Sequence, residues 1–213
     1  KTQLPKLLSE LSEFYNILEI NNKKIQAYKS LYYDTSDRVF YIEHHNDRVN
    51  RNKVRFREYV ESGLVFLELK LKNNKGKTIK KRIRVNEIPT SLSLDQQQYI
   101  EKHIGRDLDL KPQHWINFNR ITFVNKFNTE RLTIDLDLIF FNKDQSGRLE
   151  EIVIAEVKRE RSSQSSKFTY IAKNYHISPT RVSKYCISTI NLYPGVKYNR
   201  FKEKLLLINK LSR

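Results

Sequence analysis

Two hydrophobic periods alternate along this chain. Leu4, Leu7, Leu8, Leu11, Tyr15 and Leu18 recur at helical spacing and Pro5 suits a first turn, so an amphipathic helix is predicted over 5–18. Ser93 followed by Gln96 reads as a capping box and Gly105 as a C-terminal stop, framing a second helix near 94–104. Ser178-Pro179 opens a third helix that ends before Pro194-Gly195. Two further helix-period segments fall between Ser163 and Tyr175 and between Tyr198 and Leu211. Elsewhere the period is two, which predicts strands at 30–33, 53–59, 64–72, 78–85, 118–126, 131–140 and 151–158. The loop from Asn73 to Lys77 joins two of them as a hairpin, with Gly76 suited to positive φ. Hairpin-linked strands with few intervening helices predict an antiparallel sheet in an α+β fold. No repeat or low-complexity tract interrupts the chain, and it reads as a single domain over 1–213.

Splitting each strand into its two faces locates the charge, because side chains alternate. Lys53, Arg55 and Arg57 share a face opposite Val54 and Phe56. Glu68, Lys70 and Lys72 oppose Val65, Leu67, Leu69 and Leu71; Lys80, Arg82 and Arg84 oppose Ile79, Ile83 and Val85. Arg120 opposes Ile121 and Phe123. Arg131, Asp135 and Asp137 oppose Leu132, Ile134, Leu136 and Leu138. Glu156 and Lys158 oppose Val153, Ala155 and Val157. These polar faces carry 11 basic and 4 acidic residues, a net charge of +7. An antiparallel sheet with one wet face gives this pattern. So does a sheet closed on itself, whose helices cover the apolar face and whose cations line a lumen. The second arrangement accounts for five amphipathic helices, each needing apolar surface to cover.

Composition sharpens the second arrangement. The 213 residues hold 40 Lys+Arg against 24 Asp+Glu, a net charge of +16, which points to an anionic partner. Twelve Tyr and 11 Phe supply core material and argue against disorder. The single Cys186 excludes an intrachain disulfide and a cysteine zinc site, and a reducing, cytoplasmic setting is expected. No apolar run is long enough to span a bilayer. The Gly-rich phosphate loop ending in Gly-Lys-Ser/Thr is absent, which removes P-loop chemistry. His44-His45 reads as a loop pair, Trp115 as a core residue and Asp34 to Asp37 as a turn.

The stretches Ser30 to Thr35, Lys53-Val54-Arg55-Phe56-Arg57 and Phe66-Leu67-Glu68-Leu69-Lys70 resemble the vacuolar transporter chaperone (VTC) domain. So do Thr78 to Arg82, Asn119-Arg120-Ile121, Arg131 through Asp137, Ala155-Glu156-Val157-Lys158 and Ser183-Lys184-Tyr185. The resemblance implies a triphosphate tunnel metalloenzyme: an antiparallel β-barrel lined by Arg, Lys and Glu, with helices packed outside. It also implies a polyphosphate polymerase acting on ATP or another nucleoside triphosphate. Arg55, Arg57, Lys70, Arg120, Arg131 and Lys184 match the family's phosphate-gripping catalytic positions. Lys80 and Arg82 fall in its next basic strand, and with Lys53 and Lys158 they are further substrate-binding candidates. Glu156 matches the carboxylate that holds the divalent metal. The family's first strand, with one more lysine, would lie before the first helix; here it is expected to be missing before Lys1, either absent or not included.

A mixed set of guanidinium forks and ammonium points suits a linear chain of phosphates. Carboxylate oxygens favour a hard ion, Mg²⁺ or Mn²⁺, with Glu156 first and Asp135, Asp137 and Glu68 as helpers or as ion-pair partners of the arginines. Two other functions fit the same residues: a triphosphate hydrolase of the related CYTH type, and a module that binds polyphosphate or nucleic acid without turnover. Nucleic acid is not the expected partner, because its charge complement lies on an outer surface.

Overall fold

The structure, a computed structural model, describes residues 1–160 and 166–212. Helix α1 (Leu4–Leu11) leads into strands β1 (Tyr15–Ile17) and β2 (Ile25–Asp34), then α2 (Val39–His45), β3 (Arg51–Tyr59), β4 (Leu64–Lys72), β5 (Thr78–Val85) and α3 (Leu94–Ile104). The second half runs β6 (Lys111–Asn125), β7 (Arg131–Phe141), β8 (Ser146–Leu149), β9 (Ile154–Lys158), α4 (Lys167–Asn174), α5 (Lys184–Leu192) and α6 (Lys202–Leu211). Among the described residues the strands form one antiparallel sheet in the order β5-β4-β3-β2-β6-β7-β8, with β1 on β6 and β9 on β7.

Three local expectations change for physical reasons. The first helix stops at Leu11 rather than reaching Leu18. β2 runs along β6 only as far as the Ile25–Ile121 pair, and β1 takes up the next stretch of edge, Phe123 to Asn125, whose backbone groups otherwise lack partners. Tyr15 still lands in the same core as Leu7 and Leu11, so the stripe held while the backbone changed. β6 starts at Lys111 and tolerates Pro112 because its register against β2 shifts between Tyr32 and Tyr33. The third helix begins only at Lys184, where Ser183 Oγ accepts the Cys186 N–H at 3.3 Å. Of the segment expected between Ser163 and Tyr175, α4 forms Lys167–Asn174, and Ser163 lies outside the described residues.

β7 carries the consequential irregularity. Asp137 has φ +52°, and the register against β6 slips between Asn117 and Asn119. This bulge inserts one residue and reverses the face of everything after it. Leu132 and Ile134 therefore pack in one core, while Leu138 and Phe140 pack in the core on the opposite side of the sheet. Asp137 leaves the charged face and bonds Lys1 Nζ and Asn119 Nδ2 instead.

The apolar face is covered as expected. α3 packs over β2–β5 through Ile100 with Leu31, Tyr33, Phe56, Leu67 and Leu69, and half-buried Trp115 joins the rim of that cluster. α1 and α4 cover β6 and β7 through Leu7, Leu11, Phe168 and Ile171. α5 departs from the expected outer layer. It lies on the polar, concave face, where Tyr185 and Cys186 pack with Tyr28, Tyr32, Ile116, Phe118 and Leu138. No ladder joins β5 to β8 or β9 among the described residues, so the closed barrel expected from the charge pattern is instead an open, curled trough. Its curl is deep enough for charges on opposite edges to act on one another: Glu156 of β9 on Lys70 of β4, and Lys80 of β5 on Lys158. No helix among the described residues is long and apolar enough to cross a membrane.

Candidate functional site

The floor of the trough is built by register. Ser30, Arg57 and Phe66 lie across from one another on β2, β3 and β4, as do Tyr32, Arg55, Glu68 and Arg82 from β2 to β5. Lys53, Lys70 and Lys80 form the next row. On the other wall Arg120 faces Asp135, and Thr133 faces both Thr122 and Glu156. Lys184 reaches down from the first turn of α5 to Asp135. The even spacing of the cations within each strand, read from the sequence, thus becomes a set of transverse rows.

Two carboxylates hold the rows in place. Glu68 accepts from Arg55 Nε and Nη2 at 2.8 and 2.6 Å and lies 3.9 Å from Arg57 Nη1. Asp135, its side chain 2% exposed, accepts from Arg120 Nε and Nη2 at 2.5 and 2.8 Å and from Lys184 Nζ. Glu68 and Asp135 therefore act as ion-pair partners rather than as candidate metal ligands. Four cations, Arg55, Arg57, Arg120 and Lys184, share these two anions, and Lys53 and Lys70 add two more charges in the adjacent row.

The surplus charge shows in the titration of the groups that carry it. Burial and the neighbouring Arg55 hold the Arg57 guanidinium below its ordinary value, and burial does the same to Lys184 against the pull of Asp135. Partial burial and Lys53 lower Lys70. Arg55 moves the other way: burial opposes its charge, but Tyr32 and Glu68 outweigh it. Burial would raise the Tyr32 phenol, yet Arg55, Arg57 and Lys53 together bring it down to about 8. The positive potential that lowers this phenol also favours any other negative charge brought to the floor.

Aromatic rings form the bed under these cations. Tyr28 and Phe118 stack with centroids 5.2 Å apart. Arg57 lies 5.3 Å from the Tyr28 ring, Arg120 5.2 Å from Phe118, and Lys184 Nζ 5.0 Å from Phe118. Ring quadrupoles offset part of the mutual repulsion of three like charges. Sequence reasoning also missed Tyr32, whose hydroxyl accepts from Arg55 Nη1 at 2.7 Å, Ser30, which accepts from Arg57 Nε at 3.1 Å, and Ser183, which accepts from Lys53 Nζ at 2.9 Å. Both faces of β2 mix ring and polar side chains, so alternation did not single out Ser30 and Tyr32, and Ser183 entered only within the Ser183-Lys184-Tyr185 motif.

The remaining candidates sit nearer the edges. Arg131 is exposed at the start of β7 beside Lys158, with no ion pair among the described residues, and the structure does not bring it into the floor. Lys80 and Arg82 are exposed on β5, Arg82 over the Phe66 ring at 4.7 Å. Glu156 has Lys158 as its ion-pair partner at 3.9 Å and is half exposed, which leaves its oxygens available. His44-His45 ends α2 instead of lying in a loop, and His45 bonds Asn46 and Asn199. Asp34 is no simple turn residue: buried, it accepts from the backbone N–H of Thr35, Phe40 and Tyr41 and from Tyr185 Oη at 2.5 Å, fixing α2 and α5 to the end of β2.

The family model of the VTC domain matches residues 1–193. No curated protein matches the chain. Among solved structures, a candidate adenylate cyclase from Bacillus halodurans is similar with a TM-score of 0.54 and 14% identity, covering 86% of this chain and 88% of that one. A candidate adenylyl cyclase from Hippeastrum, described as having a dominant triphosphatase activity, gives 0.52 and 14% identity over 92% and 93%. At this identity both likenesses concern the fold.

Proposed function

The chain belongs to the VTC domain family, and from that membership we propose that it is a triphosphate tunnel enzyme that moves the γ-phosphate of ATP onto a growing inorganic polyphosphate chain. The observation that supports this reading is the gathering on one trough floor of four cations around two carboxylates, with Lys53 and Lys70 in the adjacent row. Phosphoryl transfer asks the protein for positioning and charge neutralisation rather than covalent help. Arg55, Arg57 and Arg120 present guanidinium forks and Lys53, Lys70 and Lys184 point charges, which together fit successive phosphates. The terminal oxygen of the acceptor chain attacks the γ-phosphorus, the bond to the β-phosphate oxygen breaks, and the nucleoside diphosphate leaves. Charge gathers on phosphate oxygens throughout, and the field of the preorganised cations stabilises it. Arg131, Lys80, Arg82 and Lys158 extend the same field along the two edges.

The family implies a divalent metal. No group of three or more His, Cys, Asp or Glu capable of holding one occurs among the described residues. A single carboxylate with substrate phosphates and water completing the shell is nevertheless an ordinary arrangement for Mg²⁺. Glu156 fits that role, because Glu68 and Asp135 are committed to ion pairs. Bound there, Mg²⁺ or Mn²⁺ would neutralise charge on the transferring phosphates.

A second reading, triphosphate hydrolysis, is favoured by the triphosphatase activity ascribed to the Hippeastrum protein of the same fold. Incubation with ATP and Mn²⁺, with ADP, orthophosphate and long-chain polyphosphate measured separately, divides the two. Polymerase activity gives ADP matched by chain phosphate; hydrolysis gives ADP matched by orthophosphate.

A further inference from the structure

The concave face continues beyond the sheet at the end where β3 begins and β4 ends. α5 fills the part of that end over β2, β6 and β7. The part over β3–β5 stays open and widens into a cleft of about 850 Å³ between the sheet, α2, α5 and the start of α6. Its inner wall is Lys53 and Lys70, the last cations of the trough floor. Its outer wall adds Arg51, Lys72, Arg181, Arg200 and Lys204. Asp47 and Glu203 line it too, but Arg51 occupies Asp47. Arg181, Arg200 and Lys204 have no ion-pair partner among the described residues. Arg200 and Lys204 also lie past residue 193, where the family match ends. None of the three belongs to the motifs of the floor.

We propose that this cleft is a second polyanion subsite in series with the trough, holding the stretch of a linear polyphosphate chain that lies beyond the triphosphate on the floor. The proposal rests on the function proposed above and adds where the chain runs and what grips it. Lys53 and Lys70 belong to both compartments, so one continuous chain can pass from the floor rows to the outer wall without leaving a cationic surface. Unpaired like charges at one mouth are unfavourable in the free protein and become favourable when a polyanion lies among them. Single-stranded nucleic acid would need ring faces for its bases. The one Phe of the wall, Phe201, is 8% exposed and turned against Tyr41 and His45, so the wall offers charge without a stacking platform. A chain of phosphates needs only the charge.

Calorimetry with tripolyphosphate and with a long-chain polyphosphate, on the wild type and on the triple variant Arg181→Ala/Arg200→Ala/Lys204→Ala, tests this directly. The wild type is expected to bind the long chain more tightly than tripolyphosphate. The variant is expected to lose about tenfold or more in long-chain affinity while tripolyphosphate affinity stays within about twofold, each tenfold being about 1.4 kcal/mol. Retained tripolyphosphate binding doubles as the check that the variant folds. A wild type that binds both ligands equally, or a variant that weakens both alike, overturns the subsite alone. A wild type that binds no tripolyphosphate overturns the proposed function with it. Displacement of the long chain by a single-stranded oligonucleotide at equal phosphate concentration assigns the cleft to nucleic acid and overturns the proposal.

Discussion

Lys184, in the first turn of α5, forms an ion pair with Asp135 on β7, joining the helix that fills one end of the trough to the strand of its far wall. Arg120 shares the same carboxylate. Asp135→Asn leaves two largely buried cations without their anion, and removing one partner of such a group costs about 3–5 kcal/mol. The ligand-free variant should melt far below wild type, and tripolyphosphate should restore part of the loss by supplying the missing negative charge. A melting temperature unchanged from wild type contradicts the pairing.

Arg57 stands in the opposite situation. It is 7% exposed, its nearest carboxylate oxygen is 3.9 Å away, and burial and Arg55 disfavour its charge. Arg57→Ala should leave the ligand-free protein unchanged or slightly more stable, while turnover falls by about 10²–10³, the usual loss for one preorganised charge stabiliser. Arg55→Ala should do both kinds of damage, because Arg55 also holds Glu68 and Tyr32. Melting curves and turnover measured together separate the two arginines; an Arg57→Ala protein that fails only by unfolding contradicts the assignment.

Tyr32 gives the site a pH signature. Its folded pKa of about 8 lies below the ordinary tyrosine value near 10, so the ionised phenol is the form the fold favours. The stability this adds is absent below about pH 8, develops as pH rises from 8 to 10, and amounts to about 2–3 kcal/mol at most. Tyrosinate absorbance should show one early step near pH 8 that Tyr32→Phe abolishes, and tripolyphosphate affinity should weaken through the same step as an anion appears on the floor. A titration with no ionisation until the ordinary range contradicts it.

The strands β3, β4 and β5 were legible residue by residue, because strict alternation separated Lys53, Arg55 and Arg57 from Val54 and Phe56, and likewise in the next two strands. β2 was legible only in part. Both of its faces mix ring and polar side chains, since Tyr28 and Tyr32 lie on the charged side and Lys29 on the other, so alternation there carries no sign. The bulge at Asp137 could not be read at all: a positive φ at one aspartate is set by the pairing with β6, and it moves Asp137 out of the charged face. The position of α5 was legible only through the family motif at Lys184; by periodicity its buried face looks like that of any outer helix until Tyr185 is seen against Tyr32 at 5.0 Å.

Glu156→Gln should remove metal-dependent turnover while metal-free tripolyphosphate binding stays the same or tightens, because the change deletes a hard ligand and a negative charge from an anion site together. Full Mn²⁺-dependent turnover in this variant excludes Glu156 as the essential carboxylate.

The central claim is that the cationic rows act together on one extended phosphate ligand. Calorimetric titration of the metal-free protein with orthophosphate, pyrophosphate and tripolyphosphate tests it most directly. Each added phosphate meets another row, and charged hydrogen bonds contribute about 1.5–3 kcal/mol each before desolvation is subtracted. Affinity should therefore climb steeply along the series. Equal affinity for orthophosphate and tripolyphosphate would contradict the account.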